Sequence, residues 1–494
     1  MTTPIAPIST QLRLIAEQFG DEPAITCAGR TVTRAELESQ TNALARAFAD
    51  RGVGVGDYVT ITLGNSIEYL QACIACWKLG AVPQPLPARL PQPEFEAILA
   101  LRPRALIVGR ADPNGEIPSI PADFTLPADH SDAPLPEAVS PAWKAMASGG
   151  STGRPKLIEV GGDSRYPGTL FGQALGAQEG DVSLLSVPMS HNTGMISATV
   201  ALLMRHHLVV MPRFDPHEFL RLITEHRVNY LATVPTIMHR VLPAYHGDPG
   251  AYDLSSIRRL WHVGAPCPPS VKQAWIDLVG PETVWEMYGG TELQALAVLS
   301  GTEWLAHRGS VGRVVTGEMK VLDDDGNECA PGEVGEVYMR RAQGSAPTYR
   351  YIGASAKTRD GWDSLGDLGY FDADGYLYLS DRRVDMFTVG GKNTYPAEIE
   401  GALLAHPGVQ SALVVGVPHE DLGQVPYALV QPVPGATGVD EASVREFVAE
   451  RLEAHKVPRT VEFVDHPLRD EAGKARRSAV RDEVIARRQA PANQ

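Results

Sequence analysis

The strongest local signal for chemistry is the segment Ser148-Gly149-Gly150-Ser151-Thr152-Gly153-Arg154-Pro155-Lys156. Its glycines let the backbone turn sharply and aim N–H groups at an anion, while Ser151 and Thr152 add hydroxyl donors. Such a loop suits a polyphosphate, although the same residues also read as a flexible surface loop. It is not a Walker loop, because Arg154-Pro155 follows Gly153 and a proline there opposes the helix that motif requires. A second signal is Tyr288-Gly289-Gly290-Thr291-Glu292, after Val284-Trp285-Glu286-Met287. A flat aromatic can stack on a base, Thr291 can bond a phosphate oxygen, and Glu292 is a hard oxygen ligand suited to Mg²⁺. The plainer reading is a strand-to-helix turn with Thr291 as cap. In Gly366-Asp367-Leu368-Gly369, ahead of Ser380-Asp381-Arg382, a carboxylate can accept both hydroxyls of a ribose, or simply serve a turn. Finally, Lys474 stands on a glycine turn in Glu471-Ala472-Gly473-Lys474-Ala475-Arg476-Arg477, a basic stretch that by itself reads as a solvated face.

These residues need a scaffold, and the first half of the chain supplies alternating strand and helix signals of the α/β kind. Thr33-Arg34-Ala35-Glu36 is a capping-box sequence, followed by Leu37, Leu44 and Phe48 on one helical face. Strands are expected at 58–63, 182–188, 208–211 and 228–233, with a helix over 216–226. Near residue 317 the texture changes to short antiparallel strands with turns at Asp325-Gly326 and Asp374-Gly375. After Arg382 a compact tail begins, with helices predicted at 396–405 and 442–453 around a strand at 411–417, and residues from Gln489 onward read as disordered.

Bulk properties narrow the function. The 494 residues allow two to four packing units, and 44% apolar with 21% charged residues is ordinary for a soluble globular protein. A net charge of -15 without a basic stripe argues against a nucleic-acid partner. The N-terminus lacks a secretory pattern and the apolar run around Met195 to Met204 is too short to span a bilayer, so a cytoplasmic location is expected. Cys73 and Cys76 form a C-x-x-C with no second ligand pair, and their apolar neighbours read as a buried helix.

Taken in order, the four motifs resemble the adenylate-forming superfamily: acyl-CoA synthetases, peptide-synthetase adenylation domains and luciferases. The resemblance runs from the Thr33 helix to Lys474 and includes Gly264-Ala265-Pro266, Gly390-Gly391-Lys392-Asn393, His406-Pro407-Gly408-Val409 and Lys456-Val457-Pro458-Arg459. It implies an α/β fold: a large multi-layered N-terminal domain (1–381, with a small β-barrel-like part), a hinge at 382–384 including Val384, and a smaller mobile α+β domain over 385–494. It implies an acyl-CoA ligase that uses ATP and Mg²⁺ to make an acyl-AMP and transfers the acyl group to coenzyme A. By the same resemblance, Ser148 to Gly153 and Lys156 hold ATP phosphates. Gly264, Ala265, Pro266 and Tyr288 border adenine, Glu286, Met287 and Gly289 belong to the same ATP/AMP site, Asp367 and Arg382 hold the ribose, and Thr291 meets the α-phosphate. Glu292 holds Mg²⁺, Lys474 serves adenylation, and Gly390, Gly391 and Lys392 border the pantetheine tunnel. His191, with Asn192, Gly194, Gly264 and Gly290, lines the acyl pocket, although His191 also reads as a packed core histidine.

Several positions depart from that pattern. Val384 stands where a hinge Asp or Lys is usual, Leu365 replaces a common Thr, and Asp470 and Glu471 replace the usual residues before the Gly473-Lys474 turn. A homologue performing one half-reaction is therefore the alternative: an acyl-AMP-to-CoA transferase, or a stand-alone adenylating enzyme that loads a carrier protein. A non-catalytic nucleotide- or acyl-CoA-binding protein is a third reading, opposed by the presence of Glu292, Asp367, Arg382 and Lys474. The segment Pro188-Met189-Ser190-His191-Asn192-Thr193-Gly194 lacks the carboxylate that would hold an α-ammonium group, which disfavours amino acids. The small residues Gly264 and Gly290 point to a bulky, ring-containing acid rather than acetate. Expected partners are thus a small carboxylic acid, ATP and CoA, with a homodimer as a candidate assembly.

Overall fold

A computed structural model describes residues 5–126, 129–149, 155–342, 345–470 and 473–489. Strands Pro23–Cys27, His207–Val210, Val182–Leu185, Tyr230–Thr233, Arg259–Val263 and Val284–Tyr288 lie side by side in that order, all parallel. Helices Asn192–Leu203, Pro216–His226, Pro235–Gly247 and Pro269–Val279 connect them, and such crossovers bury the parallel strands on both faces. The capping box forms as its sequence requires: Thr33 Oγ1 accepts from the Glu36 N–H, and Glu36 Oε2 accepts from the Thr33 N–H. Cys73 and Cys76 are fully buried in the helix Ile67–Lys78, which holds both thiols well above their ordinary range.

Beyond Tyr288 the sheet continues with antiparallel strands. Strand Ser310–Thr316 pairs with Leu377–Arg382 along its first half and with Leu296–Ser300 along its second. It bends at Gly312, where φ is +107° and a Cβ would lie 2.0 Å from the Val298 carbonyl oxygen. The plainer reading of the Asp367 segment, as a turn, does not hold. The glycines around Asp367 lie inside a long strand, Trp362–Phe371, rather than in a turn. Gly369 is required because the Tyr378 carbonyl approaches where a Cβ would sit, and a register shift between Leu368 and Gly369 absorbs the irregularity. That strand pairs with Leu377–Arg382 so that Asp367 and Arg382 are direct cross-strand partners.

Two smaller sheets complete the large body. Val82–Pro85, Tyr58–Ile61, Leu106–Gly109 and Ser119–Pro121 form a parallel four-stranded sheet. Ala145–Gly149 and Pro155–Val160 pair antiparallel, with Tyr349–Ile352 alongside the second. After Arg382 the chain enters a separate five-stranded sheet, beginning at Phe387–Val389. Helices Pro396–Leu404 and Glu441–Ala449 pack on it through Ile399, Leu403, Val444 and Val448, and Arg477–Gln489 packs elsewhere on it through Val484. Among the described residues, no helix is long and apolar enough to cross a membrane.

Candidate active site

In a parallel α/β sheet the connections leaving the carboxyl ends of the strands form the binding crevice. Four such connections matter here. His191 follows strand Val182–Leu185, Val234 to Thr236 follow Tyr230–Thr233, Gly264 follows Arg259–Val263, and Gly289 to Glu292 follow Val284–Tyr288. Leu293 adopts φ +53°, a left-handed conformation unusual for a leucine, and its N–H bonds the Gly290 carbonyl in a tight turn that presents Glu292.

Around this crevice the separate motifs meet. The Tyr288 hydroxyl donates to Asp367 Oδ2 at 2.7 Å, and Arg382 Nε lies 3.3 Å from Asp367 Oδ1. Burial, reinforced by Asp367, holds the Tyr288 phenol well above its usual range. The Glu292 carboxylate, nearly buried, accepts from the Tyr351 hydroxyl at 2.5 Å and lies 3.9 Å from Lys156 Nζ. Lys156 Nζ in turn sits 3.6 Å from the Tyr351 ring centre, a cation–π contact. Lys474 reaches the same place from the small domain. Burial and the Arg382 charge lower its pKa, opposed by Asp470 and Glu292, and burial together with the Lys474 charge lowers that of His191. Lys474 and Arg382 are open to solvent yet hemmed in by protein. Both conditions hold together for groups lining a deep wet cleft.

Lys156, Arg382 and Lys474 thus gather around Glu292 and Asp367, with a net positive balance. The Arg382 charge depresses the pKa of both lysines, an unfavourable arrangement until an anion enters, so the cluster suits a polyanionic ligand. Glu292 fits a magnesium site. It is a hard carboxylate beside that anion position, and Mg²⁺ characteristically takes one or two carboxylates and completes its shell with phosphate oxygens and water.

Several expected site residues are placed differently. Glu286 Oε2 is 2.6 Å from Lys272 Nζ, buried inside the protein, so its side chain serves an internal ion pair. Burial raises its pKa against that pairing. Met287, on the opposite strand face from Tyr288, packs with Trp261 and Trp285. Gly290 opens no pocket floor: a Cβ there would meet Leu365 Cδ1 at 2.4 Å and Glu292 Oε2 at 2.5 Å. Gly194 packs on the Pro188 backbone, where a Cβ would lie 2.2 Å from the carbonyl oxygen. Gly264, by contrast, has room for a Cβ, the nearest atom being Val234 Cγ1 at 4.0 Å, and Ala265 and Pro266 follow it at the crevice rim. Gly150, Ser151, Thr152 and Gly153 lie outside the described residues; Ser148, Gly149 and Lys156 belong to the two strands that this segment joins. Gly390, Gly391 and Lys392 form an exposed hairpin end, with Lys392 Nζ 3.3 Å from Glu453 of the same domain, and Val384 is exposed.

Two residues escaped the sequence reading. Tyr351 holds Glu292, and the alternation in Tyr349-Arg350-Tyr351 was the available sign. Lys144 interrupts an apolar run, Ala142 to Met146, and donates to Asn192 Oδ1. A charged residue within a run that otherwise reads as fully buried was its signal.

Comparison with known proteins agrees with this geometry. Residues 12–349 match the family model for AMP-binding enzymes, and residues 398–474 match that for the AMP-binding enzyme C-terminal domain. The 2-succinylbenzoate–CoA ligase of Geobacillus kaustophilus is 33% identical, covering 91% of this chain and 93% of that protein. A fatty acid–[acyl-carrier-protein] ligase of Streptomyces coeruleorubidus is 30% identical, covering 93% of each. Among solved structures, o-succinylbenzoate CoA synthetase of Bacillus subtilis with its acyl-adenylate superposes with a TM-score of 0.81 at 26% identity, covering 96% of this chain and 98% of that one.

Proposed function

Because the chain belongs to the AMP-binding enzyme family and is an adenylate-forming acid–thiol ligase, we propose that it activates a ring-containing carboxylic acid as acyl-AMP and passes the acyl group to coenzyme A. The observation that carries this reading is the meeting of Lys156, Arg382 and Lys474 around Glu292 and Asp367. Two anions must approach for the first step: the acid's carboxylate oxygen attacks the α-phosphorus of ATP, the α–β phosphoanhydride breaks, and pyrophosphate leaves. Lys474 stabilises the charge that develops on the α-phosphate and on the attacking carboxylate, while Asp367, tied by Tyr288 and Arg382, orients the ribose. Glu292 would hold Mg²⁺, which when bound neutralises phosphate oxygens. Thr291 is assigned to the α-phosphate. In the second step a thiolate attacks the acyl carbonyl and AMP departs. For this step we assign Gly390, Gly391 and Lys392 to the thiol channel, reached by rotation of the small domain about Val384.

For the acid, His191 borders the cavity as a neutral ring, since its pKa is lowered. Gly264 leaves the cavity floor open, and the nearby cluster of Ile196, Met287, Trp261 and Trp285 supplies apolar and aromatic walls. The similarity to a 2-succinylbenzoate–CoA ligase supports an aromatic acid. A carrier-protein thiol as acceptor is the second reading, favoured by the similarity to the acyl-carrier-protein ligase. Acid-dependent pyrophosphate release, measured with and without CoA across acetate, hexanoate, benzoate and larger aryl acids, tests the assignment. The expected result is release from aryl acids and thioester when CoA is added. Acetate turned over as fast as the aryl acids would remove the substrate class, and pyrophosphate without acyl-CoA would move the acceptor to a carrier protein.

A further inference from the structure

Lys144 is a charged group that the reaction above leaves unused. Its side chain is 1% exposed, in a stretch from Ala142 to Met146 that is buried throughout. Among the described residues no carboxylate pairs with it, and burial alone pushes its pKa down to about 7. Nζ lies 4.4 Å from the Trp143 ring centre and donates to Asn192 Oδ1.

That hydrogen bond fixes an orientation. An ammonium group has donors and no acceptor, so Asn192 gives Lys144 its oxygen and keeps its Nδ2 hydrogens for another partner. Asn192 is partly exposed, opens the helix Asn192–Leu203, and adjoins His191, whose ring senses the Lys474 charge. Asn192 thus stands beside the histidine that faces Lys474, with Lys144, which no carboxylate among the described residues neutralises, directly behind its amide. A buried ammonium without an acid is unfavourable, and so is a carboxylate carried into an apolar cavity. Each offsets the other.

We propose that Lys144 and Asn192 form a specificity site for an acid bearing a second carboxylate, which accepts from Asn192 Nδ2 and takes its countercharge from Lys144. The inference rests on the adenylation reading and names the substrate class within it: dicarboxylic acids, one carboxylate activated and the other held. A site with a committed donor discriminates strongly, because an analogue lacking the acceptor leaves that donor unpaired.

The test measures kcat and KM for pyrophosphate release with benzoate against the three benzenedicarboxylates, and with hexanoate against adipate, in wild type and Lys144→Met. Wild type is expected to favour at least one dicarboxylate over its monocarboxylate parent. Lys144→Met is expected to cut that ratio of kcat/KM at least tenfold, through KM for the acid, with KM for ATP unmoved. If Lys144→Met does not fold, Lys144→Gln, which keeps a donor toward Asn192 and removes the charge, reads the same ratio. Release from monocarboxylates alone overturns the inference and leaves adenylation standing. A variant that slows every acid by one factor also overturns it, since a merely structural lysine would act that way. No release from any acid overturns the adenylation reading as well.

Discussion

Lys474 shows how much depends on a single side chain's surroundings. It is a surface residue of the small domain by sequence, yet it lies where His191, Arg382 and Glu292 all influence it or are influenced by it. If it stabilises the attacking carboxylate and α-phosphate, Lys474→Ala should lower acyl-AMP formation by about 10²–10³-fold, the usual effect of losing one donor at a developing charge. Thioester formation from supplied acyl-AMP should change far less, and equal losses would contradict the role. The lowered pKa adds a signature. A group that must be charged and whose pKa is depressed loses its proton earlier as pH rises, so kcat/KM for adenylation should fall on an alkaline limb below the ordinary 10.5. In Lys474→Arg that limb should disappear from the measured range. Tyr288 and Asp367 allow a parallel check: Tyr288→Phe removes one donor to the carboxylate that orients the ribose. Its expected effect is a several-fold rise in KM for ATP with KM for the acid unchanged, measured by pyrophosphate release.

At the scale of elements, glycines decide how closely pieces of backbone approach. Gly473 takes φ +77°, and a Cβ there would come within 2.8 Å of Thr236 Oγ1, in the first turn of helix Pro235–Gly247. Gly473→Ala therefore combines left-handed strain of roughly 1–2 kcal/mol with a clash at the docking point of Lys474. Adenylation is expected to fall at least tenfold while thioester formation from acyl-AMP stays near wild type and the melting temperature drops only slightly. An unchanged adenylation rate would mean that the docked arrangement is not the one used. Such contacts also mark what a sequence reveals. Helix and strand periods exposed the parallel core and the Thr33–Glu36 box, and motif order exposed the residues of the crevice, because both are local or linear patterns. Register is neither. The direct pairing of Asp367 with Arg382 depends on a bulge between Leu368 and Gly369, so a segment that reads as a turn is strand. Likewise Gly290 reads as added pocket space, but Leu365, remote in sequence, fills it. Leu365, a departure from the family pattern, thus takes up the space beside Gly290, which no linear reading displays. Tyr351 and Lys144 carried only faint local signals for the same reason: their partners, Glu292 and Asn192, lie 59 and 48 positions away.

For the whole molecule, the two bodies touch among the described residues through polar groups. Arg476 Nη2 lies 2.9 Å from Glu94, the His239 ring meets the backbone at Val409 and Gln410, and Gly473 abuts Thr236. An exposed ion pair such as Arg476–Glu94 contributes about 0–1 kcal/mol. The join itself is better buried. Asp381, at the end of the last large-sheet strand, accepts from the Ala397 N–H at 2.8 Å on the first small-domain helix and faces Arg477. Burial outweighs those partners and raises the Asp381 pKa to about 6 from 3.8. A raised folded-state pKa means that the folded protein binds this proton more readily than the unfolded chain does. The stability it contributes is therefore fully present below 3.8 and is lost as pH rises through about 6. Asp381→Asn imitates the protonated form and keeps an oxygen for the Ala397 N–H. The variant should gain on wild type in melting temperature as pH rises from 4 to 7.5, with the change concentrated between 4 and 6.5. A constant difference across that range would show that Arg477 holds the Asp381 charge fully compensated, and would remove burial as the dominant influence at the join between the two bodies.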